Sequence, residues 1–217
     1  MAVSKSQRVL IIVSYLSPKN KFNFYNFVEA SGIATAKLIL NSKYSCIEVL
    51  KDANATKDKF LSKVSTYAAK SSIKAIDVIM MTHGNDKKLY FYDASQSSKD
   101  IAVKSSTLKT DIRALKNYQK LRLLYSTACF GDSHSDDFLA AGFNASVGAI
   151  GVNSNSASEF PIVCELWGKG DKISTAVYWG EMGHKAFDLI AKAAGFKDAN
   201  SDKNVRGNGS IRIDSNS

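Results

Sequence analysis

Residues 75–84 read AIDVIMMTHG, and residues 121–131 read LRLLYSTACFG. Each stretch opens with a mostly apolar run, which is typical of a buried strand, and each then reaches one reactive side chain, His83 or Cys129. Forty-five residues separate these two side chains, which is enough for a helical connection between neighbouring parallel strands. Because parallel strands present their carboxyl ends at the same edge of a sheet, we predict that His83 and Cys129 emerge side by side there.

Strands and helices alternate along most of the chain. Short apolar runs predict the strands, and apolar residues at helical spacing predict helices between them. This order predicts an α/β fold, a three-layer sandwich in which helices cover both faces of a mostly parallel sheet of about five to six strands. The predicted strands are residues 8–16, 45–50, 75–81, 121–126 and 145–152, with a short hairpin around residues 88–92. The predicted helices are residues 22–40, 57–70, 106–118, 135–141 and 171–194.

The length and composition favour one globular domain. A chain of 217 residues with 45% hydrophobic content can bury a core, so we predict a single domain over residues 1–217. Residues 197–217 are polar and rich in Asn, Asp, Ser and Gly, and we expect a partly frayed tail that is ordered only around residues 210–213. No apolar run approaches the ~20 residues of a membrane span, and no export signal is visible in the sequence.

The net charge of +9 is spread thinly over the chain. Only five of the 29 basic residues are arginine, and the lysines form no dense run. Nucleic-acid-binding proteins usually concentrate basic residues on one face, so this pattern predicts no nucleic-acid partner. Three cysteines without a C-x-x-C spacing argue against a disulfide framework and a thiolate metal site, and no Gly-rich phosphate loop is visible. We therefore predict no metal and no cofactor.

Cys129 differs from the other cysteines in its chemical surroundings. Cys46 and Cys164 lie among apolar neighbours and are interpreted as small buried hydrophobic residues. A cysteine attacks through its thiolate, and His83 is suited to take the thiol proton and later to protonate a leaving amine. Gly84 lets a substrate carbonyl approach the backbone, and its N–H together with that of Cys129 is predicted to form an oxyanion hole. The pattern therefore indicates nucleophilic catalysis by a cysteine.

Two short motifs connect these residues with a known family. Residues 82–84 read Thr-His-Gly, and residues 127–131 read Thr-Ala-Cys-Phe-Gly. They resemble the His–Gly and Ala–Cys signatures of the caspase-like cysteine peptidases of clan CD, the group that includes caspases, legumain, gingipain and clostripain. The resemblance also covers the order of strands and helices from about residue 8 to residue 152.

This resemblance implies a cysteine endopeptidase with a caspase-like fold and a Cys–His dyad. Cys129 would attack the scissile carbonyl of a peptide or protein substrate and form an acyl-enzyme, and His83 would serve as the acid–base. Members of the family read the side chain before the cleaved bond, the P1 side chain, in a pocket. The corresponding positions here are residues 14–25, Thr127 and residues 153–160.

The resemblance also leads to expectations about individual substrate-binding residues. We expect Thr127, Asn153 and Ser154 to contact the substrate. Glu159 or Asp132 would supply a counter-charge if the P1 residue is Arg or Lys.

Three positions depart from the legumain pattern. Val28 and Glu29 stand where the Asn-reading Arg of legumain and its His neighbour would be. Thr127 replaces the acidic residue before the nucleophile. Specificity for Asn is therefore not expected.

The sequence leaves two other functions open. A non-catalytic or regulated caspase-like module would bind a protein partner through the basic surface, although such a module has no chemical need for both His83 and Cys129. Residues 131–133, Gly-Asp-Ser, also fit a serine hydrolase with Ser133 as nucleophile, but that motif usually follows the first strand of a chain. The alternative interpretation is that this segment turns the strand into the next helix, with Ser133 or Ser135 as its cap.

Overall fold

A six-stranded sheet forms the centre of the computed structural model, which describes residues 2–16, 24–96 and 98–216. In that part of the chain the strands are β1 (Arg8–Tyr15), β2 (Cys46–Lys51), β3 (Ala75–Thr82), β4 (Gly84–Asn85), β5 (Lys88–Tyr92), β6 (Asp100–Lys104), β7 (Leu121–Ser126), β8 (Ala145–Ala149) and β9 (Lys203–Gly207). The large sheet has the order β2-β1-β3-β7-β8-β9, and its neighbouring strands are parallel except for β8 and β9. Strands β4, β5 and β6 form a small antiparallel sheet.

Helices cover both faces of the large sheet. They are α1 (Phe24–Leu40), α2 (Lys57–Ala69), α3 (Ser105–Arg113), α4 (Ser135–Ala140), α5 (Ser156–Lys169), α6 (Ile173–Gly180) and α7 (His184–Ala193). Along β1, Val9, Ile11 and Val13 face the core shared with α2, α3 and α4. Leu10 and Ile12 face the core shared with α1, α5 and α6. The three-layer α/β sandwich is confirmed. Among the helices of the described ranges, none combines the length and the apolar character that a membrane crossing needs.

Several elements differ from the sequence prediction. Residues 156–169 form α5 and residues 100–104 form β6, and the sequence pattern predicts neither. The helix predicted over residues 171–194 is divided into α6 and α7, because Gly183 takes a φ of +92°, a left-handed conformation that interrupts a helix. Strand β8 ends at Ala149, three residues before the predicted end.

The C-terminal segment is structured well beyond residues 210–213. Lys203–Gly207 is strand β9, which pairs with β8, so the prediction of a frayed tail is wrong there. The buried Arg122 donates from Nη1 to the carbonyl oxygens of Ile213 at 2.6 Å and of Ser215 at 2.7 Å. Hydrogen bonds from the interior of the large sheet therefore hold this segment in place.

Arg122 is itself paired with a carboxylate on the neighbouring strand. Its Nε lies 2.9 Å from Asp77 Oδ1, its Nη2 lies 2.5 Å from Asp77 Oδ2, and both side chains are at most 1% exposed. The Tyr44 hydroxyl donates to Asp77 Oδ2 at 2.6 Å. A buried charge is tolerated when it is paired and fully hydrogen-bonded. This ion pair joins β3 to β7, the two strands that lead to His83 and Cys129.

Candidate active site

The ends of β3 and β7 meet at the carboxyl edge of the large sheet. The two strands pair in parallel as far as Met80 and Ser126, and the N–H of Thr127 donates to the Met80 carbonyl oxygen at 2.9 Å. Beyond this pair the chain at Gly84 packs directly on Cys129, because a Cβ placed on Gly84 would overlap the Cys129 carbonyl oxygen. The structure therefore brings the two strand ends into contact through their backbones.

A cleft of about 510 Å³ opens over this edge of the sheet. The side chains of His83 and Cys129 both line it, and they are the two ionisable groups among the described residues that do so. Most of the remaining lining is apolar, which is typical of a ligand site with a few polar groups in it. In the described ranges, no group of three or more His, Cys, Asp or Glu residues is arranged to hold a metal ion.

The imidazole of His83 is oriented by the end of β1. Its Nε2 lies 2.8 Å from the carbonyl oxygen of Leu16. A carbonyl oxygen only accepts hydrogen bonds, so in a neutral ring the proton is on Nε2 and the basic nitrogen is Nδ1. This partner cannot be recognised from the sequence, because the acceptor is a backbone atom and any residue type provides it.

The small sheet determines where the N–H of Gly84 points. Gly84 stands opposite Leu89, and the N–H of Tyr90 donates to the His83 carbonyl oxygen at 3.0 Å. In an antiparallel pair, a bond in that position makes Gly84 and Leu89 a non-hydrogen-bonded pair. The N–H of Gly84 therefore points away from β5.

The thiol of Cys129 is half-buried at the cleft. Burial raises the pKa of the Cys129 thiol, while hydrogen bonding from the Asn153 backbone and the positive charge of Lys203 act in the opposite direction. Burial has the larger effect on this pKa, so the protonated thiol predominates at neutral pH.

The turn after Cys129 explains the glycine of the second motif. Phe130 has a φ of +55°, a left-handed conformation that is uncommon for a residue with a side chain, and its N–H donates to the Gly151 carbonyl oxygen at 2.8 Å. A Cβ on Gly131 would lie 2.9 Å from the Gly148 Cα on β8, and a Cβ on Gly148 would overlap the backbone of Gly131. The turn thus packs backbone against backbone on β8.

Three of the residues predicted to bind substrate line the cleft. They are Thr127, Asn153 and Ser154. The side-chain amide of Asn153 donates to the Thr127 carbonyl oxygen at 3.0 Å, which connects the segment after β8 to the strand of Cys129. Ser154 donates from Oγ to Asp188 Oδ1 at 2.6 Å, and this contact ties α7 to the cleft.

The two acidic residues predicted to supply a counter-charge lie elsewhere, which corrects that expectation. Glu159 is fully buried, where it accepts a hydrogen bond from the Tyr125 hydroxyl and pairs with Lys203 at 3.4 Å. Asp132 pairs with Arg206 at 2.8 Å between Oδ1 and Nε. Neither carboxylate lines the cleft, because each is already held by a cation on β9.

Ser133 has a structural contact pattern and lies outside the cleft. Its Oγ donates to the Phe130 carbonyl oxygen at 2.7 Å and accepts from the Lys87 N–H at 2.9 Å. The nearby His134 is fully buried, with Nε2 at 2.9 Å from the Asn85 carbonyl oxygen. The interpretation of Ser133 or Ser135 as the cap of α4 is wrong, because α4 continues directly from a 3₁₀ turn and no side chain caps it. The contacts of Ser133 with Lys87 and of His134 with Asn85 hold β4 and the residues just after it against the turn that follows Cys129.

Lys203 is a buried cation whose charge acts on the Cys129 thiol, and the sequence does not reveal it. Its side chain is fully buried on β9, with Nζ at 3.4 Å from the Ser126 carbonyl oxygen and 5.5 Å from the centroid of the Tyr125 ring. The residue lies in a polar stretch that resembles a surface loop in the sequence. Lys203 is buried because β9 pairs with β8, and this pairing cannot be recognised from the local sequence.

Replacing Lys203 by methionine is expected to raise the pKa of the Cys129 thiol further. The loss of a nearby positive charge disfavours the thiolate, so the midpoint of the pH–rate profile for alkylation of Cys129 moves to higher pH. The rate is measured with iodoacetamide, and mass spectrometry separates the Cys129 product from the others. The double variant Lys203→Met/Glu159→Gln, which removes both charges of the buried pair, should shift this midpoint in the same direction. The control is Lys109→Met, which breaks a partly buried ion pair with Asp137. A midpoint in both Lys203 variants that equals the midpoint of this control would contradict the assigned role of Lys203.

Replacing Gly84 by alanine is expected to destabilise the protein and disturb the site together. The new Cβ overlaps the Cys129 carbonyl oxygen and lies 2.8 Å from the Ala128 Cβ, so two backbone segments must separate. Overpacking of this kind costs about 1–3 kcal/mol in the free energy of unfolding. Urea unfolding and the rate of Cys129 alkylation measure the two effects. The matched control is Gly209→Ala, where the nearest atom is 3.3 Å away, and equal behaviour of the two variants would refute the close contact.

Comparisons with known proteins reveal a likeness in structure. No family model and no curated protein sequence matches the chain. The Arg-specific cysteine proteinase gingipain R aligns with a TM-score of 0.62 at 13% identity, over 96% of this chain and 48% of that one. The Drosophila initiator caspase Dronc aligns with a TM-score of 0.58 at 11% identity, over 98% of this chain and 84% of that one. A secreted C11 cysteine protease from Bacteroides thetaiotaomicron aligns with a TM-score of 0.53 at 9% identity, over 85% of this chain and 59% of that one.

The chain therefore has the caspase-like fold of the clan CD cysteine peptidases. This confirms the fold that the two motifs at the strand ends predict. The chain spans about half the length of the gingipain R chain, and 59% of the Bacteroides protease.

Proposed function

We propose that this chain is a cysteine endopeptidase, with Cys129 as nucleophile and His83 as acid–base. The observation that carries the proposal is the packing of Gly84 on the backbone of Cys129, at an edge where both reactive side chains line one cleft. Among proteins that share the fold, gingipain R and the Bacteroides enzyme are described as cysteine proteases. The retained His–Gly and Ala–Cys motifs argue for the same class of reaction here.

The first half of the reaction forms an acyl-enzyme. His83 Nδ1 takes the thiol proton while Cys129 Sγ forms a bond to the scissile carbonyl carbon. The N–H groups of Gly84 and Cys129 would stabilise the oxyanion that results, and the orientation of the Gly84 N–H away from β5 supports this role. The C–N bond then breaks, and the imidazolium gives its proton to the leaving amine.

Water completes the cycle. It attacks the thioester carbon with His83 as general base, the C–S bond breaks, and the thiol is regenerated with the carboxylate product. The contact between His83 Nε2 and the Leu16 carbonyl oxygen supports this exchange of protons, because it holds the ring in one tautomer and one orientation. A carboxylate partner is not required for that purpose.

The raised pKa of the Cys129 thiol affects when the proton moves. Because burial keeps the thiol protonated at neutral pH, the thiolate forms mainly as the substrate is attacked. The Cys129 thiol is therefore expected to react slowly with small alkylating agents. It should react faster with a peptide-based electrophile that places its carbonyl next to His83.

The proposal is tested with the chain as it stands and a peptide library that varies the P1 residue. We expect cleavage of a subset of peptides and covalent labelling of Cys129 by a peptidyl electrophile, mapped by mass spectrometry. Cleavage that persists after Cys129 is fully labelled would refute the proposal. Labelling without cleavage of any peptide would favour the non-catalytic module instead.

A further inference from the structure

One wall of the cleft consists of large apolar side chains on and just after α7. Phe187, Ile190 and Phe196 line the same cleft as Cys129, and they are 44%, 68% and 51% exposed. Large apolar side chains left open to solvent in a concave site usually mark a surface that another molecule covers. These three residues are called the α7 wall below.

Helix geometry sets the α7 wall apart from the opposite side of the helix. Phe187, Ile190 and Ala191 are spaced three and four residues apart, so they share one face. Leu189 is 69% exposed but lies beside Lys185 and Lys192 on a different groove of the helix. Some of the exposed apolar residues of α7 therefore face the cleft, and Leu189 does not.

Asp188 fixes the α7 wall relative to the rest of the cleft. Its carboxylate accepts hydrogen bonds from Ser154 Oγ at 2.6 Å and from the Ser201 N–H at 3.0 Å, and the residue is buried. Ser154 is itself a lining residue, next to Asn153. Helix α7 is thus anchored to the segment after β8, and the apolar surface faces the reactive edge in a defined position.

We propose that Phe187, Ile190 and Phe196 form a subsite that binds a large apolar side chain of the peptide substrate. The inference deepens the proposed function and rests on it. A peptide is the occupant favoured here, because the wall is continuous with the space in front of Cys129 and His83. The volume of about 510 Å³ is sufficient for a short peptide segment with one bulky side chain. The subsite selects aliphatic or aromatic side chains over charged ones.

Equilibrium binding tests the subsite without requiring turnover. The Cys129→Ala chain is titrated by calorimetry with two peptides that differ only in Leu against Ser at one position, and each position is scanned in turn. We expect one position at which Leu binds at least ~10-fold more tightly than Ser, the preference that a hydrophobic pocket typically supplies. Adding Phe187→Ala should remove most of that preference.

The matched control is Leu189→Ala in the same Cys129→Ala background. It removes a large apolar side chain of α7 that is even more exposed than Phe187, 69% against 44%, without touching the wall, so the preference for Leu should remain. Equal losses in the Phe187→Ala and Leu189→Ala chains, or no preference at any position, would overturn the subsite. A dimer of the wild-type chain that dissociates on Phe187→Ala would also overturn it, since the wall would then be an interface between copies.

Measurements of peptide cleavage by the wild-type chain show whether the apolar subsite or the peptidase proposal is wrong. If the wild-type chain cleaves peptides with no preference for an apolar residue, the subsite alone is wrong. If it cleaves nothing and Cys129 is not labelled, while the binding preference persists and depends on Phe187, the peptidase proposal is wrong and the apolar site remains.

Discussion

Peptide cleavage is expected to fall by a factor on the order of 10⁵–10⁶ when Cys129 is replaced by alanine, the loss seen when a covalent nucleophile is removed. Among the described residues that line the cleft, Cys129 carries the only thiol, and a hydroxyl group there would need an adjacent base before it could attack. Initial rates with the best peptide of the library, measured at several enzyme concentrations, give the value of kcat/KM for both chains.

Two further variants make this result specific. Cys46→Ala removes a half-buried thiol on β2, far from the edge at which the strand ends meet, and should leave cleavage unchanged. His83→Ala should reduce cleavage strongly and also slow the reaction of Cys129 with a peptidyl electrophile, because the thiol loses its proton acceptor. Cleavage by the Cys129→Ala chain at more than a hundredth of the wild-type rate would contradict the assignment of the nucleophile.

Replacing Arg122 by methionine is expected to lower the free energy of unfolding by about 3–5 kcal/mol, the range for breaking a buried ion pair. The change leaves the Asp77 carboxylate buried at 1% exposure without its cation, and it removes two hydrogen bonds to the backbone of the C-terminal segment. It also removes the contact with the Trp167 ring, whose centroid lies 5.5 Å from the guanidinium carbon. Urea unfolding followed by tryptophan fluorescence measures the loss.

A surface ion pair provides the comparison for Arg122. Lys169→Met breaks a pair with Glu165 in which both side chains are more than half exposed, and such pairs contribute about 0–1 kcal/mol. Adding Asp77→Asn to Arg122→Met should restore part of the lost stability, because the unpaired charge is removed. If Arg122→Met and Lys169→Met unfold at the same urea concentration, the buried pair does not stabilise the fold.

Strands β1, β3 and β7 could be predicted to within about one residue because both of their faces are buried. A strand of that kind is a mainly apolar run, and the only charged residues in β3 and β7 are Asp77 and Arg122, which form the buried ion pair. Helix α5 is not predicted from the sequence because one of its own residues usually ends a helix. Pro161 lies inside it and reads as a helix breaker, although Phe160, Val163, Cys164 and Trp167 have helical spacing.

Strand β9 could not be recognised from its own residues. Lys203–Gly207 reads KNVRG, and its ordering depends on hydrogen bonds to β8, more than fifty residues earlier in the chain. The same long-range pairing carries Lys203 toward Glu159 and Arg206 toward Asp132. The sequence therefore allowed His83, Cys129 and the segment after β8 to be predicted as site residues, but it could not show which acidic side chains were already neutralised.

The close backbone contacts of three glycines divide the site into positions that tolerate little substitution and positions that can vary. At residues 84, 131 and 148 a Cβ would meet another backbone, so a library of all substitutions at these positions should return glycine. On the α7 wall, substitutions change only the surface that faces the cleft. Under the proposed function, variation on the α7 wall would therefore alter which peptides bind, while the backbone arrangement around Cys129 and His83 stays constant.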